Sequence, residues 1–490
     1  MKRILFIIAL ALSNVFVFSQ NITARIIDNT TKEPIQFATI KTGAYSGVIS
    51  NDEGYFTING DDIKKPITIS CMGYQNKVLS ISEIKQLSNV IPLTEAINQL
   101  NEVYISNKTP NADSIIAKAK SNLKVNYKPN LNRYNIFSRN TDYVDFKSLD
   151  FEIEKAKHVK KSKIEDANRS LANMGKQIIE SNIVSFSDFK GALYVLDKDS
   201  SKIHVDKATK LLDYKNDFSI DNIQEKAQDI VLTYLDTTKT YKLKTGIFKI
   251  EDSLSLKSDD FKNDEENIHK LSHLNNHTRS LWKRSQFYKS AFLSKFLNGD
   301  LYEYAFKNIG YNNNELNYII EFTPRKGKSK HTGTLYISDD NYAITRVDYN
   351  YYKNRHGEKF NLKLLLGVKY IENTSEGTII YQKDSSNLYH PKYIKLITGS
   401  YFFVSRGLKF IENSPNRYKI NFDFKLEGDF QNKEELLITT NNDIDLSNFS
   451  KISQEKEIPI KVLNRYEKTL WENEETLEPL KEMKEFKTTN

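Results

Sequence analysis

Ser50-Asn51-Asp52-Glu53-Gly54-Tyr55-Phe56 and Ser70-Cys71-Met72-Gly73-Tyr74 decide the fold of the N-terminal part of this chain. Around them, apolar and polar side chains alternate. Phe56 and Ile58 alternate with Tyr55 and Thr57, and Ile67, Ile69 and Cys71 alternate with Thr68, Ser70 and Met72. Period-two alternation in short runs broken by turn residues marks half-buried strands of a sandwich. In the tight turn over Asn51, Asp52 and Gly54, the glycine takes a positive φ without a Cβ clash. Gly73 is expected to do the same before Tyr74. Asn51, Asp52, Gly54, Phe56, Gly73 and Tyr74 are therefore structural turn residues, and Ile22 to Thr94 reads as an independent β-sandwich.

Upstream, Lys2 and Arg3 precede the apolar run Ile4–Leu12, and Val17 and Ser19 occupy the small-residue positions before Gln20. This is the pattern of a cleaved signal peptide, residues 1–19. The run is shorter than the roughly 20 apolar residues of a membrane span. The expected mature chain of 471 residues is exported, to the periplasm or the periphery of an outer membrane, and no transmembrane helix follows cleavage. That length predicts more than one unit.

Lysines and arginines number 71 against 63 acids, a net charge of +8, with no single basic stripe to suggest nucleic acid. The lone cysteine, Cys71, excludes an intramolecular disulfide and sits at an inward-facing strand position.

Lys32-Glu33-Pro34-Ile35, Ala38-Thr39-Ile40, the Asp52-Glu53-Gly54 turn, the Met72-Gly73-Tyr74 corner, Pro92-Leu93 and the Leu100–Ile105 exit together resemble the carboxypeptidase-regulatory-like domain. That family stands at the front of many Gram-negative envelope proteins, including TonB-dependent transporters. The chain departs from it at Ala24, where glycine is common, and at Ser50, where threonine is usual. The resemblance implies an immunoglobulin- or prealbumin-like sandwich that is a non-catalytic accessory module. The remaining length is too short for a transporter's plug and barrel.

The expected layout is a multidomain chain. The sandwich (20–106) is followed by a helix-rich α+β region (107–300). An antiparallel sheet with a C-terminal strap (301–490) comes last and forms one unit with that region. Asn111 or Asp113 caps a helix with Ile115, Ile116 and Ala119 on one face. Residues from Lys147 to Glu180 have helical spacing, and His269 to Leu297 read as a second helical region. After Asp300, long alternating segments with short polar turns predict an antiparallel β-meander packed by helices. The stretch from Gly333 to Asp348 resembles the curved half-barrel sheets of periplasmic lipoprotein-carrier-like proteins. Trp471 and the acids to Glu485 read as a strap on this sheet.

Metallocarboxypeptidase chemistry needs a His-x-x-Glu pair, and none of the eight histidines is followed by glutamate at that spacing. His269, His273 and His277 recur every four residues and would drift about 80° around a helix. His269 and His273 are thus the metal candidates. Lys270 stands where a zinc protease has its glutamate base, and the outer pair would be about 12 Å apart, so a solvated helix face is preferred. Asp197-Lys198-Asp199-Ser200 has the opening of a calcium loop without its later glycine and glutamate, and reads as a surface turn. No nucleophile elbow, Walker loop or dinucleotide fingerprint is present. No catalytic residue and no cofactor are expected.

The reading is a non-enzymatic cell-envelope protein with an interaction sandwich, a larger binding scaffold and an envelope protein partner. The alternative is a carrier for a lipid or other apolar ligand held by the sheet's Tyr and Phe side chains. A metal-dependent hydrolase is the third reading.

Overall fold

β1 (Asn21–Asp28) buries every second residue, so Ile22, Ala24 and Ile26 face inward and Thr23, Arg25 and Ile27 face outward. The computed structural model describes residues 21–43, 46–59, 65–96, 109–127, 131–156, 158–181, 183–212, 235–236, 238–246, 248–255, 268–288, 291–312, 315–454, 456–472 and 474–486. The signal-peptide region and the Leu100–Ile105 exit lie outside these residues. Two compact units emerge. The first comprises the described residues within Met1–Ile97, Tyr311–Asn314 and Glu467–Leu480, and the second comprises the rest.

The first unit is the sandwich. After β1 come β2 (Thr39–Lys41), β3 (Gly47–Ile49), β4 (Tyr55–Asn59), β5 (Ile67–Ser70), β6 (Lys77–Leu79), helix α1 (Ile81–Gln86) and β7 (Val90–Leu93). One sheet has the order β4-β1-β7 and the other β3-β2-β5-β6. β1 runs antiparallel to β4 and parallel to β7. Ile22, Ala24, Ile26, Phe56 and Ile58 of the first sheet and Ile40, Val48, Ile67 and Ile69 of the second form the buried set. α1 starts on a capping box in which Ser80 and Glu83 satisfy each other's backbone N–H groups.

Both turns follow from local chemistry. Asn51 Oδ1 accepts from the Glu53 and Tyr55 N–H groups at 2.9 Å each, and the Gly54 N–H donates to the Asn51 carbonyl. Gly54 sits at φ +79°, and a Cβ there would lie 2.5 Å from the Ile26 carbonyl oxygen. Gly73 sits at φ +84° with open space around it. The buried Ser50 hydroxyl accepts from Ala38 N–H and donates to the Ile35 carbonyl, each at 2.9 Å. Cys71 is buried, its thiol 4.0 Å from the Gln36 carbonyl.

The second unit is a single large sheet with helices on it. Its elements begin with α2 (Ala112–Asn126), β8 (Asn132–Ala156), α3 (Lys161–Glu180), β9 (Ile183–Val195), β10 (Ser201–Leu211), β11 (Thr240–Thr245), β12 (Phe248–Ser255), β13 (Ile268–Lys270) and α4 (Leu271–Arg284). β14 (Tyr302–Asn312), β15 (Glu315–Pro324), β16 (His331–Ser338), β17 (Ile344–Tyr351), β18 (Lys359–Leu362), the single turn α5 (Lys363–Leu366), β19 (Val368–Lys383), β20 (Tyr389–Glu412) and β21 (Lys419–Asp443) follow. The chain closes with α6 (Leu446–Lys451), β22 (Glu457–Pro459), β23 (Lys461–Leu463) and α7 (Lys481–Glu485). The main path is β14-β15-β16-β17-β19-β20-β21-β8-β9-β10-β23, with β11 added to β20 and β18 to β19.

The strands β8, β20 and β21 are long enough to serve two cores. On one half, Ile115, Ile116 and Ala119 of α2 and Leu281 and Trp282 of α4 pack with sheet residues such as Ile320, Leu335, Ile344, Ile394 and Leu436. On the other half, Ala167, Leu171 and Ile178 of α3 cover Ile153, Phe422, Phe146 and Leu149. Gly175 of α3 lets the helix approach, since a Cβ there would meet the Leu149 carbonyl oxygen at 2.5 Å.

The structure corrects several expectations. The 107–300 region is dominated by strands β8 to β12 that belong to the same sheet as 301–466. Lys147 to Ala156 is strand, and the helix begins only at Lys161. Lysine and glutamate favour helices, but pairing of β8 with β21 overrides that propensity. The helical region expected from His269 starts instead with strand β13, paired to β22, and the helix covers Leu271–Arg284. Among the alternating segments after Asp300, the single helical turn α5 separates β18 from β19. The strap divides: Glu467–Leu480, with Trp471, belongs to the sandwich unit, and Lys481–Glu485 to the large sheet. Helix-on-sheet packing thus rests on α2, α3 and α4, without Trp471.

Candidate interaction surface

The outward face of β4-β1-β7 is built by the odd residues of β1. Thr23 Oγ1 lies 2.7 Å from Thr57 Oγ1, and the Thr57 hydroxyl donates to the Glu478 carboxylate. The Arg25 guanidinium stands 5.2 Å from the Tyr55 ring centroid, a cation–π distance, and its Nε donates to the Glu53 carbonyl at 3.1 Å. A groove of about 500 Å³ runs here, lined by Thr23, Arg25, Ile27, Lys32, Tyr55 and Asn89 among others. Its rim is shaped by left-handed backbone at Lys32 (φ 63°), Ser88 (φ 54°) and Asn89 (φ 61°). Such conformations are uncommon outside glycine and concentrate at functional surfaces.

A second groove of about 350 Å³ shares Thr23 and Asn89 and adds Lys85, Lys468, Thr469 and Glu472. Its far wall is the C-terminal segment, held to the sandwich by Asn51 Nδ2 donating to the Glu478 carbonyl at 3.1 Å. Between them the two grooves carry Arg25, Lys32, Lys85 and Lys468 against Glu472. Hydroxyls on the floor, one aromatic face and an excess of cations suit an extended segment bearing carboxylates.

The metal candidates lie on different elements. His269 lies in strand β13 and His273 in helix α4, so they do not share a helix face. Only their backbones are described. His277 Nε2 pairs with Glu434 Oε1 at 2.7 Å, and this hydrogen bond raises its pKa. Among the described residues no group of three or more His, Cys, Asp or Glu side chains could hold a metal ion. Asp197 closes the β9–β10 turn by accepting from Asp199 and Ser200 N–H at 2.7 and 2.8 Å. These donors, Asp199 first, hold its carboxyl below the usual range.

Two histidines that sequence reasoning passed over, His390 buried and His331 half-buried, are polar centres of the large sheet. His331 Nε2 lies 3.0 Å from Ser375 Oγ, and burial, with Arg284 nearby, pushes the imidazole down to about 4. A Ser–His contact is half of a nucleophile arrangement, which also requires a group orienting the base. Glu372 is taken by the Tyr351 hydroxyl and by Glu358 N–H, both at 3.0 Å. Among the described residues, no carboxylate hydrogen-bonds to the His331 imidazole.

His390 links Asp384 Oδ2 at 2.9 Å to the Tyr134 hydroxyl at 3.1 Å, and burial lowers its pKa. Asp384 also caps the β19–β20 turn through Ser386 and Leu388 N–H. The cavity beside His390, with Tyr127, Tyr134, Trp282, Tyr381 and Tyr389 in its wall, holds about 30 Å³. That is room for one water. The sequence signal for His390 was only its place after a turn aspartate; its partner Tyr134 lies far away in the chain.

The sequence matches the family model of the CarboxypepD_reg-like domain over residues 22–105. The match covers the sandwich and stops before the large sheet. No curated protein and no solved structure matches the chain. Among the described residues, no helix is long and apolar enough to cross a membrane.

Proposed function

We propose that this chain is a non-enzymatic protein of the bacterial cell envelope, exported to the periplasm or the periphery of the outer membrane. In this reading its sandwich docks a partner and its large sheet is a rigid scaffold. The observation that carries the reading is the distribution of open space. Among the described residues, grooves of several hundred Å³ lie on the sandwich, whereas the cavity found beneath the helices of the large sheet, within a core of the sheet's own side chains, holds about 30 Å³. A carrier of apolar ligands needs a pocket of about 300 Å³ or more. The CarboxypepD_reg-like match supports an envelope setting, since such domains occur in envelope proteins. The groove lined by Arg25, Lys32, Lys85 and Lys468 gives the docking role a surface.

The test is a pull-down from chemically cross-linked envelopes, run beside Arg25→Glu/Lys32→Glu, with lipid analysis of the purified chain. A partner captured by the wild type and lost in the double variant is expected. Stoichiometric co-purifying lipid, with capture unaffected by the variant, would overturn the docking role and favour the carrier.

A further inference from the structure

Every residue from Glu358 to Leu365 is exposed, on a hairpin at the edge of the large sheet. Leu364 is 101% and Leu365 82% exposed, with Phe360 and Leu362 also open to water. Single exposed leucines are ordinary, but contiguous apolar side chains on one projecting tip mark a contact surface.

The tip is held rigidly. β18 pairs antiparallel with β19 from Lys359↔Ile371 to Leu362↔Val368, and Phe360 stacks on Tyr370 at 5.6 Å. Gly367 closes the α5 turn at φ +64°, its N–H donating to the Lys363 carbonyl and its carbonyl accepting from Ser405 N–H at 2.7 Å. A Cβ at Gly367 would sit 2.0 Å from the Ser405 carbonyl oxygen. The hairpin is thus fixed to β20 and presents Leu364 and Leu365 outward.

Charge identifies what the tip meets. Lys359, Lys363 and Lys369 belong to the hairpin, with Glu358 and Glu372 at its base. Glu372 is engaged by Tyr351 and Glu358 N–H. The Lys363 ammonium lies 3.9 Å from the Phe403 centroid, beside the base of the turn. An apolar tip of a few side chains is far smaller than the roughly 1,000 Å² a stable protein interface buries. Leucines ahead, aromatic rings behind them and lysines around the base match the layered chemistry of a bilayer surface with anionic headgroups.

We infer that the β18–α5 hairpin is a membrane-surface anchor that inserts Leu364 and Leu365 into an anionic lipid leaflet. This deepens the envelope reading and rests on it only for which bilayer is met. The test uses the chain from Gln20 onward, because Ile4–Leu12 would itself partition into lipid, in flotation with phosphatidylglycerol-containing vesicles and with pure phosphatidylcholine vesicles.

Binding is expected to the anionic vesicles and to weaken with salt. Leu364→Ser/Leu365→Ser should bind at least about tenfold more weakly with an unchanged melting curve. Lys359→Gln/Lys363→Gln should bind less and flatten the salt dependence. No vesicle binding by the wild type, or equal binding by the leucine variant, overturns the inference. So does a wild-type dimer in light scattering that the leucine variant abolishes, which would make the tip a self-association surface. Partner capture through Arg25 is scored separately, so either role can fail alone.

Discussion

The Tyr74 hydroxyl donates a 3.0 Å hydrogen bond to Asp28 Oδ2, tying the corner after β5 in one sheet of the sandwich to the end of β1 in the other. Asp28 Oδ1 also accepts from Thr30 and Thr31 N–H at 2.7 Å each. The Thr31 backbone donor leads in holding this carboxyl below its ordinary value. Burial, then Asp28, pushes the Tyr74 phenol up to about 12. A depressed carboxylate contributes stability above its unfolded value of about 3.9, and loses it as pH falls through the lower folded value. Tyr74→Phe should therefore melt earlier than the wild type near neutral pH, with the gap narrowing in acid. A pH-independent gap in thermal melts would show that Asp28 is not the partner that matters.

The two turn glycines should respond differently to substitution. Gly54→Val combines a disfavoured φ with a clash against Ile26 and should cost roughly 1–3 kcal/mol. Gly73→Ala meets no neighbouring atom within 4 Å, leaving only the φ penalty of about 1 kcal/mol. Denaturant unfolding of the isolated sandwich checks the order; equal costs would mean the Ile26 approach relaxes freely.

Across the large sheet, Asp188, Arg139, Glu435 and Lys395 stand in consecutive register on β9, β8, β21 and β20. Arg139 grips Asp188 with two bonds of 2.9 and 2.7 Å, and the two side chains are only 6% and 0% exposed. Asp188→Ala leaves a buried guanidinium without its bidentate partner and should cost about 3–5 kcal/mol. Arg139→Met/Asp188→Leu should recover much of that loss. A double variant as unstable as Asp188→Ala would show that the row does more than balance charge.

His331 supplies a pH signature. Its folded value near 4 lies below the unfolded value of about 6.5, so between these values the unfolded chain binds the extra proton. Stability of the large unit should fall as pH drops from about 6.5 toward 4, and His331→Phe should flatten part of that slope. Imidazole titration by NMR near 6.5 would contradict the burial argument.

Removing residues 107–300 should leave an insoluble remainder. The deletion takes away β8, whose ladder with β21 runs from Asn132 to Ala156, together with the covering helices α2, α3 and α4. Exposing their apolar footprint exceeds what soluble monomers tolerate. A soluble, cooperatively folded remainder in light scattering and melting would overturn the coupling.

Local chemistry wrote the sandwich into the sequence. Alternation set which side chains of β1 and β4 face inward, and Gly54 and Gly73 marked the bends, because φ and strand period are properties of neighbouring residues. Strand alternation after Asp300 was legible for the same reason. What only the tertiary structure decided depends on remote partners. Lys147–Ala156 became strand because β21 pairs with it, and His269 left the helix because Ile458 stands opposite. Glu467–Leu480 joined the sandwich through Asn51 and Thr57, residues more than four hundred positions earlier. The groove, the His390–Asp384–Tyr134 chain and the Asp188–Arg139 pair are likewise products of register between distant strands, and local periodicity carries no record of which strand will be the neighbour.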